Sequence, residues 1–165
     1  MRSIRFVQAA VVVTIVALDQ WVKLLVRNRL AYGESIEVIP GWLDLTRVHN
    51  SGAAFGMLNG VEFPYKTAVL SVVAAGALVG LGVFAAGLPA AQWLSRWGIA
   101  LILGGAAGNL IDRITLGYVT DFVDLYWQGW HFWAFNVADA AITVGVTLML
   151  LEMLGIGRER VSRTV

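Results

Sequence analysis

Residues 104–139 read GGAAGNLIDRITLGYVTDFVDLYWQGWHFWAFNVAD, and they lie between two strongly apolar segments. Four of the eleven acidic residues of the chain fall in this stretch, namely Asp112, Asp121, Asp124 and Asp139. An ionisable side chain at or near bilayer depth is costly, so it is found there when it has a partner or a functional task. Each of the four acids is therefore a candidate functional residue.

The composition predicts an integral membrane protein. The chain has 165 residues, of which 58% are apolar and only 14% are charged, and its mean hydropathy is +0.72. Soluble domains carry about a quarter charged residues. We therefore expect one membrane domain over residues 1–165, which is mainly α-helical with a small β element.

Charge and cysteine content exclude several kinds of site. The formal net charge of +1 gives no indication of a nucleic-acid partner. The absence of cysteine excludes disulfides, thiolate metal ligands and a cysteine nucleophile. We expect neither a metal ion nor a cofactor, and the nucleophile must be an oxygen, a nitrogen or an activated water.

The apolar segments predict four transmembrane helices, because each is long enough to cross a bilayer. Gly76 and Gly80 predict tight packing of the second helix, and Gly104, Gly105 and Gly108 predict the same for the far end of the third. The predicted spans cover residues 6–26, 67–88, 93–113 and 135–154.

A polar segment separates the first two spans. Alternating apolar residues on either side of Pro40 and Gly41 predict short strands, so we expect a small sheet lying against the membrane over residues 33–64. Four spans place both termini on one side of the membrane. Six of the twelve basic residues fall on each side, so basic residues alone leave the orientation open. The basic residues that would lie outside the cytoplasm have acidic neighbours, and this favours the orientation with cytoplasmic termini.

Asp19 and Lys23 lie within the first apolar segment, four residues apart. Residues at this spacing share one helix face, so the two side chains can form an ion pair without leaving the helix. An unpaired charge in lipid is costly. The spacing therefore predicts a structural pair, and a direct catalytic role for Asp19 is the less favoured interpretation.

Two carboxyl groups in a poorly hydrated place cannot both ionise cheaply, so they share one proton and titrate as a pair. Such a pair supplies a general base and a general acid for peptide hydrolysis. Asp139 lies near the start of the fourth span, and Asp121 follows the third. Spacing alone does not distinguish Asp121 from Asp112 or Asp124, although Asp112 beside Arg113 is typical of a structural ion pair.

Five short motifs carry a resemblance to a known family. In chain order they are DxxxK at 19–23, NxGAAF at 50–55, GGAxGNxxDR at 104–113, GxVxDF at 117–122 and FNxAD at 135–139. Together they cover almost the whole chain. The set resembles the bacterial lipoprotein signal peptidase family, which is also called signal peptidase II.

The resemblance implies a four-span aspartic endopeptidase of the bacterial inner membrane, with cytoplasmic termini, a periplasmic β-cradle and a periplasmic active site. Its expected substrate is a lipidated prolipoprotein, cut before the cysteine that carries diacylglycerol, and globomycin-type cyclic peptides are expected inhibitors. We expect a monomer in contact with membrane lipid. Matched position by position, the catalytic pair is Asp121 and Asp139, and the polar active-site residues are Asn50, Asn109, Arg113 and Asn136.

Two other classes of function fit intramembrane charges. A small proton-coupled transporter or channel would also use buried carboxylates together with Asp19 and Lys23. Transport sites lie near the bilayer midplane between repeats, and no internal repeat relates the first two spans to the last two. A non-catalytic membrane scaffold would leave the four clustered acids without a task.

Overall fold

The structure is a computed structural model that describes residues 2–52, 57, 58, 60, 61 and 63–156. Residues 53–55 of the NxGAAF motif and the basic residues Arg158, Arg160 and Arg163 lie outside these. The described chain forms helices α1 (Arg2–Arg29), α2 (Lys66–Gly87), α3 (Trp93–Leu116) and α4 (Val137–Met153), and strands β1 (Ser35–Ile39), β2 (Leu43–Asn50), β3 (Val119–Trp127) and β4 (Trp130–His131).

Three of the described helices are long and apolar enough to cross a membrane, namely Phe6–Arg29, Lys66–Gly87 and Trp93–Leu116. Helix α4 has 17 residues, which is at the lower limit of about 17–25 residues for a span. Its crossing of the bilayer stays a prediction. Helix α3 continues one turn beyond the predicted end at 113 and stops at Gly117, which has a φ of 85° that glycine adopts without strain.

The sheet is antiparallel, with strand order β1-β2-β3-β4. Strands β1 and β2 flank Pro40 and Gly41, which confirms the predicted turn. The sequence-based limit of 33–64 for the sheet is incomplete, because β3 and β4 come from residues 119–131. The first four residues of β3, VTDF, are all buried, and their sequence does not alternate between apolar and polar types. The alternation that usually predicts a strand is therefore absent from this half of β3.

The sheet is fixed to the end of α1. Val26 of α1 and Leu30, which directly follows the helix, form a buried apolar cluster with Phe122 of β3. Arg47 of β2 donates hydrogen bonds to the Arg27 and Leu30 carbonyl oxygens, at 3.1 and 3.0 Å. These bonds satisfy carbonyl groups that have no partner within the helix. The residue before Phe122 is Asp121, so this packing also fixes the position of that carboxylate.

Glycines allow α3 to approach both α1 and α4 closely. A Cβ on Gly98 would lie 2.5 Å from the Gly145 carbonyl oxygen, and one on Gly104 would lie 2.9 Å from the Ile15 Cβ. The predicted close packing along α3 is confirmed. The prediction for Gly76 and Gly80 is wrong, because a Cβ at either position would have no atom of the described residues within 4 Å.

A leucine in place of Gly145 is expected to destabilise the protein by roughly 1–3 kcal/mol or more, because its side chain would be forced into α3. The same change at Gly80 meets open space and serves as the matched control. Thermal unfolding of both variants in detergent, followed by circular dichroism, measures the difference. Equal melting temperatures for Gly145→Leu and Gly80→Leu would contradict the described packing of α3 on α4.

Candidate active site

Asp121 lies near the start of β3, opposite Val48 of β2. The residue is only 3% exposed. Its Oδ2 accepts a hydrogen bond from the Asn50 side-chain amide at 3.1 Å, and its Oδ1 accepts one from the Asn136 amide at 2.7 Å. Strand pairing places Asn50 two residues along β2 from Val48, so both side chains lie on one face of the sheet.

Asp139 lies in the first turn of α4. Asn136 is the N-cap of this helix, and the two residues form a capping box with bonds of 2.9 and 3.2 Å. The other carboxylate oxygen, Oδ1, accepts a hydrogen bond from the Asn109 amide at 2.8 Å. Asp139 therefore caps the start of α4 with one oxygen while its second oxygen faces Asn109.

Two side-chain amides connect the carboxylates. The Asn136 amide nitrogen contacts the Asp121 Oδ1 and also the Asn109 Oδ1, at 2.7 and 3.1 Å. The Asn109 amide nitrogen then contacts Asp139. Amides supply hydrogen-bond donors without a positive charge. A continuous chain of uncharged donors therefore joins the two carboxylates of the predicted pair.

Burial is the largest cause and the negative charge of Asp139 the next of a rise in the pKa of Asp121 to about 7. Hydrogen bonds from Asn50 and Asn136 and the positive charge of Lys23 act in the opposite direction, by stabilising the ionised form. Asp121 therefore exchanges a proton near neutral pH. Together with Asp139 it can supply one acidic and one basic group at the same time.

The predicted pairing of Asp112 with Arg113 is wrong. The Arg113 guanidinium donates to the Gly52 carbonyl oxygen at 2.8 Å. Asp112 is fully buried and contacts Lys23 at 3.2 Å instead. Neighbouring residues of a helix do not face each other, which is why adjacent charges in the sequence turn to different sides of α3.

Asp19 and Lys23 contact each other as predicted, at 2.8 Å, and both side chains are fully buried. Asp124 contacts neither this ion pair nor the two carboxylates of the predicted pair. Its Oδ2 lies 2.8 Å from the Nδ1 of the exposed His131 ring. The structure thus brings two of the four acids together, puts the third in a buried ion pair and leaves the fourth beside a histidine. Within the described ranges, no group of three or more histidine or acidic residues could hold a metal ion.

Sequence reasoning missed the two contacts that connect these groups. Lys23 also donates to the Asn109 Oδ1 at 2.9 Å, and Asp112 accepts from the Thr120 backbone. Both contacts join residues more than seven positions apart in different elements, so no helix or strand periodicity reports them. The motifs that include Asp19, Lys23, Asn109 and Asp112 were the available signal.

The chain is similar to known proteins over most of its length. Residues 11–155 match the family model described as "Signal peptidase (SPase) II". The lipoprotein signal peptidase of Solibacter usitatus is 43% identical over 157 residues, which cover 93% of this chain and 94% of that protein. The corresponding protein of Symbiobacterium thermophilum is 45% identical over 153 residues, with 91% and 97% covered.

A solved structure has the same fold. It is a bacterial membrane enzyme determined by the in meso method at 2.3 Å resolution, and it superposes with a TM-score of 0.80. The two chains are 31% identical, and the superposition covers 96% of this chain and 94% of the other. A second bacterial membrane enzyme, solved at 1.9 Å, gives a TM-score of 0.76 at 28% identity and 90% coverage of this chain.

Proposed function

The chain belongs to the signal peptidase II family, and on that premise we propose that it is an aspartic endopeptidase acting on diacylglyceryl-modified prolipoproteins. It removes the signal peptide by cutting before the lipidated cysteine. The observation that carries the proposal is the pair of carboxylates, Asp121 and Asp139, joined by the Asn109 and Asn136 amides.

The proposed reaction needs one proton on the pair. The ionised carboxylate removes a proton from water while the water oxygen bonds to the scissile carbonyl carbon. The protonated carboxyl gives its proton to the carbonyl oxygen, which forms a neutral tetrahedral intermediate. The carboxyl group that took the proton from water then gives it to the leaving nitrogen, one hydroxyl of the intermediate returns its proton to the other carboxylate, and the carbon–nitrogen bond breaks. The pair again holds one proton. The pKa of Asp121, about 7, supports this proton count near neutral pH.

Four polar residues are proposed to orient the carboxylates or to bind the substrate backbone. Asn109 and Asn136 are buried and donate directly to the pair, so they orient its oxygens. Asn50 donates to Asp121 from the sheet side. Arg113 is only partly buried and reaches the Gly52 carbonyl, which places a cation beside the loop that follows β2. We propose that Arg113 binds polar groups of the substrate backbone and of globomycin-type inhibitors.

The proposed topology has four spans in a single, monomeric domain over residues 1–165. The sheet connects α1 to α2 and α3 to α4, so both connections lie at the same end of an alternating helix bundle. With both termini in the cytoplasm, that end faces the periplasm of a bacterial inner membrane. The sheet is then a periplasmic cradle, and the carboxylate pair lies at the periplasmic surface.

The placement of the carboxylates distinguishes this proposal from proton-coupled transport. Asp121 is on a strand and Asp139 is in the first turn of α4, so both are at the end of the helix bundle. Transport sites are expected near the midplane. A scaffold does not need two buried carboxylates held by a shared set of amides. The location at a membrane surface fits the cleavage of a substrate anchored in lipid.

Replacing either carboxylate by its amide is expected to abolish cleavage, because Asp121→Asn and Asp139→Asn keep the side-chain shape but cannot transfer the proton. Asp124→Asn is the matched control, since this acid contacts His131 and not the pair. Gel-shift cleavage of a diacylglyceryl-modified prolipoprotein by purified protein measures the effect. Substantial turnover by a folded Asp121→Asn or Asp139→Asn variant would remove that residue from the proposed pair.

The lipid on the substrate cysteine is expected to place the scissile bond at the correct depth, since each buried methylene contributes roughly 0.8 kcal/mol to anchoring. Unmodified prolipoprotein should therefore be cut much more slowly than the diacylglyceryl form in the same micelles. Arg113→Ala should weaken cleavage of the lipidated form. Equal initial rates for the two substrates would contradict the role of depth, even with the aspartic chemistry intact.

A further inference from the structure

Lys23 lies at the centre of a buried cluster behind the carboxylate pair. Its ammonium group is within hydrogen-bond distance of three acceptors, the Asp19 Oδ2 at 2.8 Å, the Asn109 Oδ1 at 2.9 Å and the Asp112 Oδ2 at 3.2 Å. A lysine ammonium has three N–H donors. Each donor can thus be matched to one acceptor, although the side chain is 0% exposed.

Each carboxylate of the cluster also binds the backbone next to one carboxylate of the active site. The Asp19 Oδ1 accepts a hydrogen bond from the Ala138 N–H at 2.9 Å, and Ala138 directly precedes Asp139. The Asp112 Oδ2 accepts one from the Thr120 N–H at 3.0 Å, and Thr120 directly precedes Asp121. Lys23 therefore connects the two backbone segments that carry the active-site carboxylates. Asp19 links it to the segment before Asp139, and Asp112 links it to the segment before Asp121.

The third acceptor fixes the orientation of an amide. Because the Asn109 oxygen faces Lys23, its nitrogen is directed toward the Asp139 Oδ1, 2.8 Å away. With the amide turned the other way, an N–H group would face the ammonium and an oxygen would face the carboxylate. Both contacts would be repulsive. Lys23 thereby sets which Asn109 atom is presented to Asp139.

We propose that Lys23, Asp19 and Asp112 form a positioning cluster that sets the relative placement of Asp121 and Asp139 for catalysis. This inference rests on the proposed peptidase function and assigns to the cluster no contact with substrate. Among the described side chains, Gln20 and Arg27 also face the cluster. The Gln20 amide contacts Asp19 and Asp112 at 3.2 and 3.0 Å, and the Arg27 guanidinium lies 3.8 Å from Asp112.

The cluster is more than an ion pair that lets α1 lie in the membrane. A simple i, i+4 pair would need contacts only within α1, whereas Asp19 and Lys23 reach α3 and the first turn of α4. Gly108 of α3 permits this approach, because a Cβ there would lie 2.6 Å from the Asp19 Oδ2. A displacement of about 1 Å at a catalytic group can lower the rate about 10²-fold.

The test compares variants that disturb the cluster in different ways. Lys23→Met removes the cation, Asp112→Asn removes one charge but keeps an acceptor oxygen for Thr120, and Gly108→Ala displaces Asp19 without changing any charge. Each is purified in detergent, and only the monodisperse folded fraction is assayed on the lipidated prolipoprotein. The kcat, the KM and the pH dependence of kcat are measured per mole of folded protein.

Two control variants lie outside the cluster. Glu152→Gln neutralises another buried carboxylate, which accepts a hydrogen bond from the Ser95 N–H at the opposite end of α3 and α4. Gly82→Ala adds a Cβ where none of the residues that the structure describes has an atom within 4 Å. Both controls should keep the kcat and the pH profile of the unsubstituted enzyme, although Glu152→Gln is expected to lower the melting temperature.

The cluster variants are expected to lower kcat about 10-fold to 10²-fold with KM changed less than about threefold, and to shift the pH profile of kcat. Lys23→Arg should recover part of the loss where it folds. If the folded Asp112→Asn and Gly108→Ala variants keep the kcat and the pH profile, the inference is wrong even should Lys23→Met fail to fold. Failure of the peptidase function itself is recognised separately, because then the unsubstituted protein does not cut the substrate.

Discussion

The buried ammonium of Lys23 constrains the rest of the structure. A charge without water must be met by partners in fixed positions, and Asp19 and Asp112 meet it from α1 and α3. Both helices must therefore lie close together at this depth, which the glycines of α3 permit. The same carboxylates bind the backbone before Asp121 and before Asp139, so the constraint extends to β3 and to the start of α4.

The cations near the site contact residues beside the carboxylate pair, not the pair itself. In the part of the chain that the structure describes, Lys23 and Arg27 face Asp112, and Arg113 donates to the Gly52 carbonyl. The direct partners of the pair are asparagine amides and the backbone of the α4 cap. A lysine or arginine in direct contact would favour full ionisation. Neutral donors hold the oxygens in place and leave a proton available at the pKa of Asp121, about 7.

Local patterns predicted the parts of the fold that depend on local spacing. The Asp19 and Lys23 pair follows from an i, i+4 repeat, and the turn at Pro40 and Gly41 follows from residue type. Strand β3 was missed because its buried first half lacks alternation. The Asp112 and Arg113 pairing was wrong because adjacency in sequence is not adjacency on a helix.

Spacing could not distinguish Asp121 from its acidic neighbours, because the distinction depends on which carboxylate faces the side-chain amides of Asn50 and Asn136. That information is held in the register of β3 on β2 and in the cap of α4. The family motifs singled out the residue without giving this reason. The structure adds the reason, which is that Asn136 bonds both to the first turn of α4 and to Asp121.

The most direct measurement is an infrared difference titration of the carboxyl groups in the purified protein. The account predicts a protonated carboxyl band below about pH 7 that disappears as the pH rises through the pKa of Asp121, about 7. The band should be absent from Asp121→Asn and present in Asp124→Asn. A spectrum in which the carboxyl pair stays fully ionised from about pH 5 to about pH 8 would contradict the shared proton on which the proposed chemistry depends.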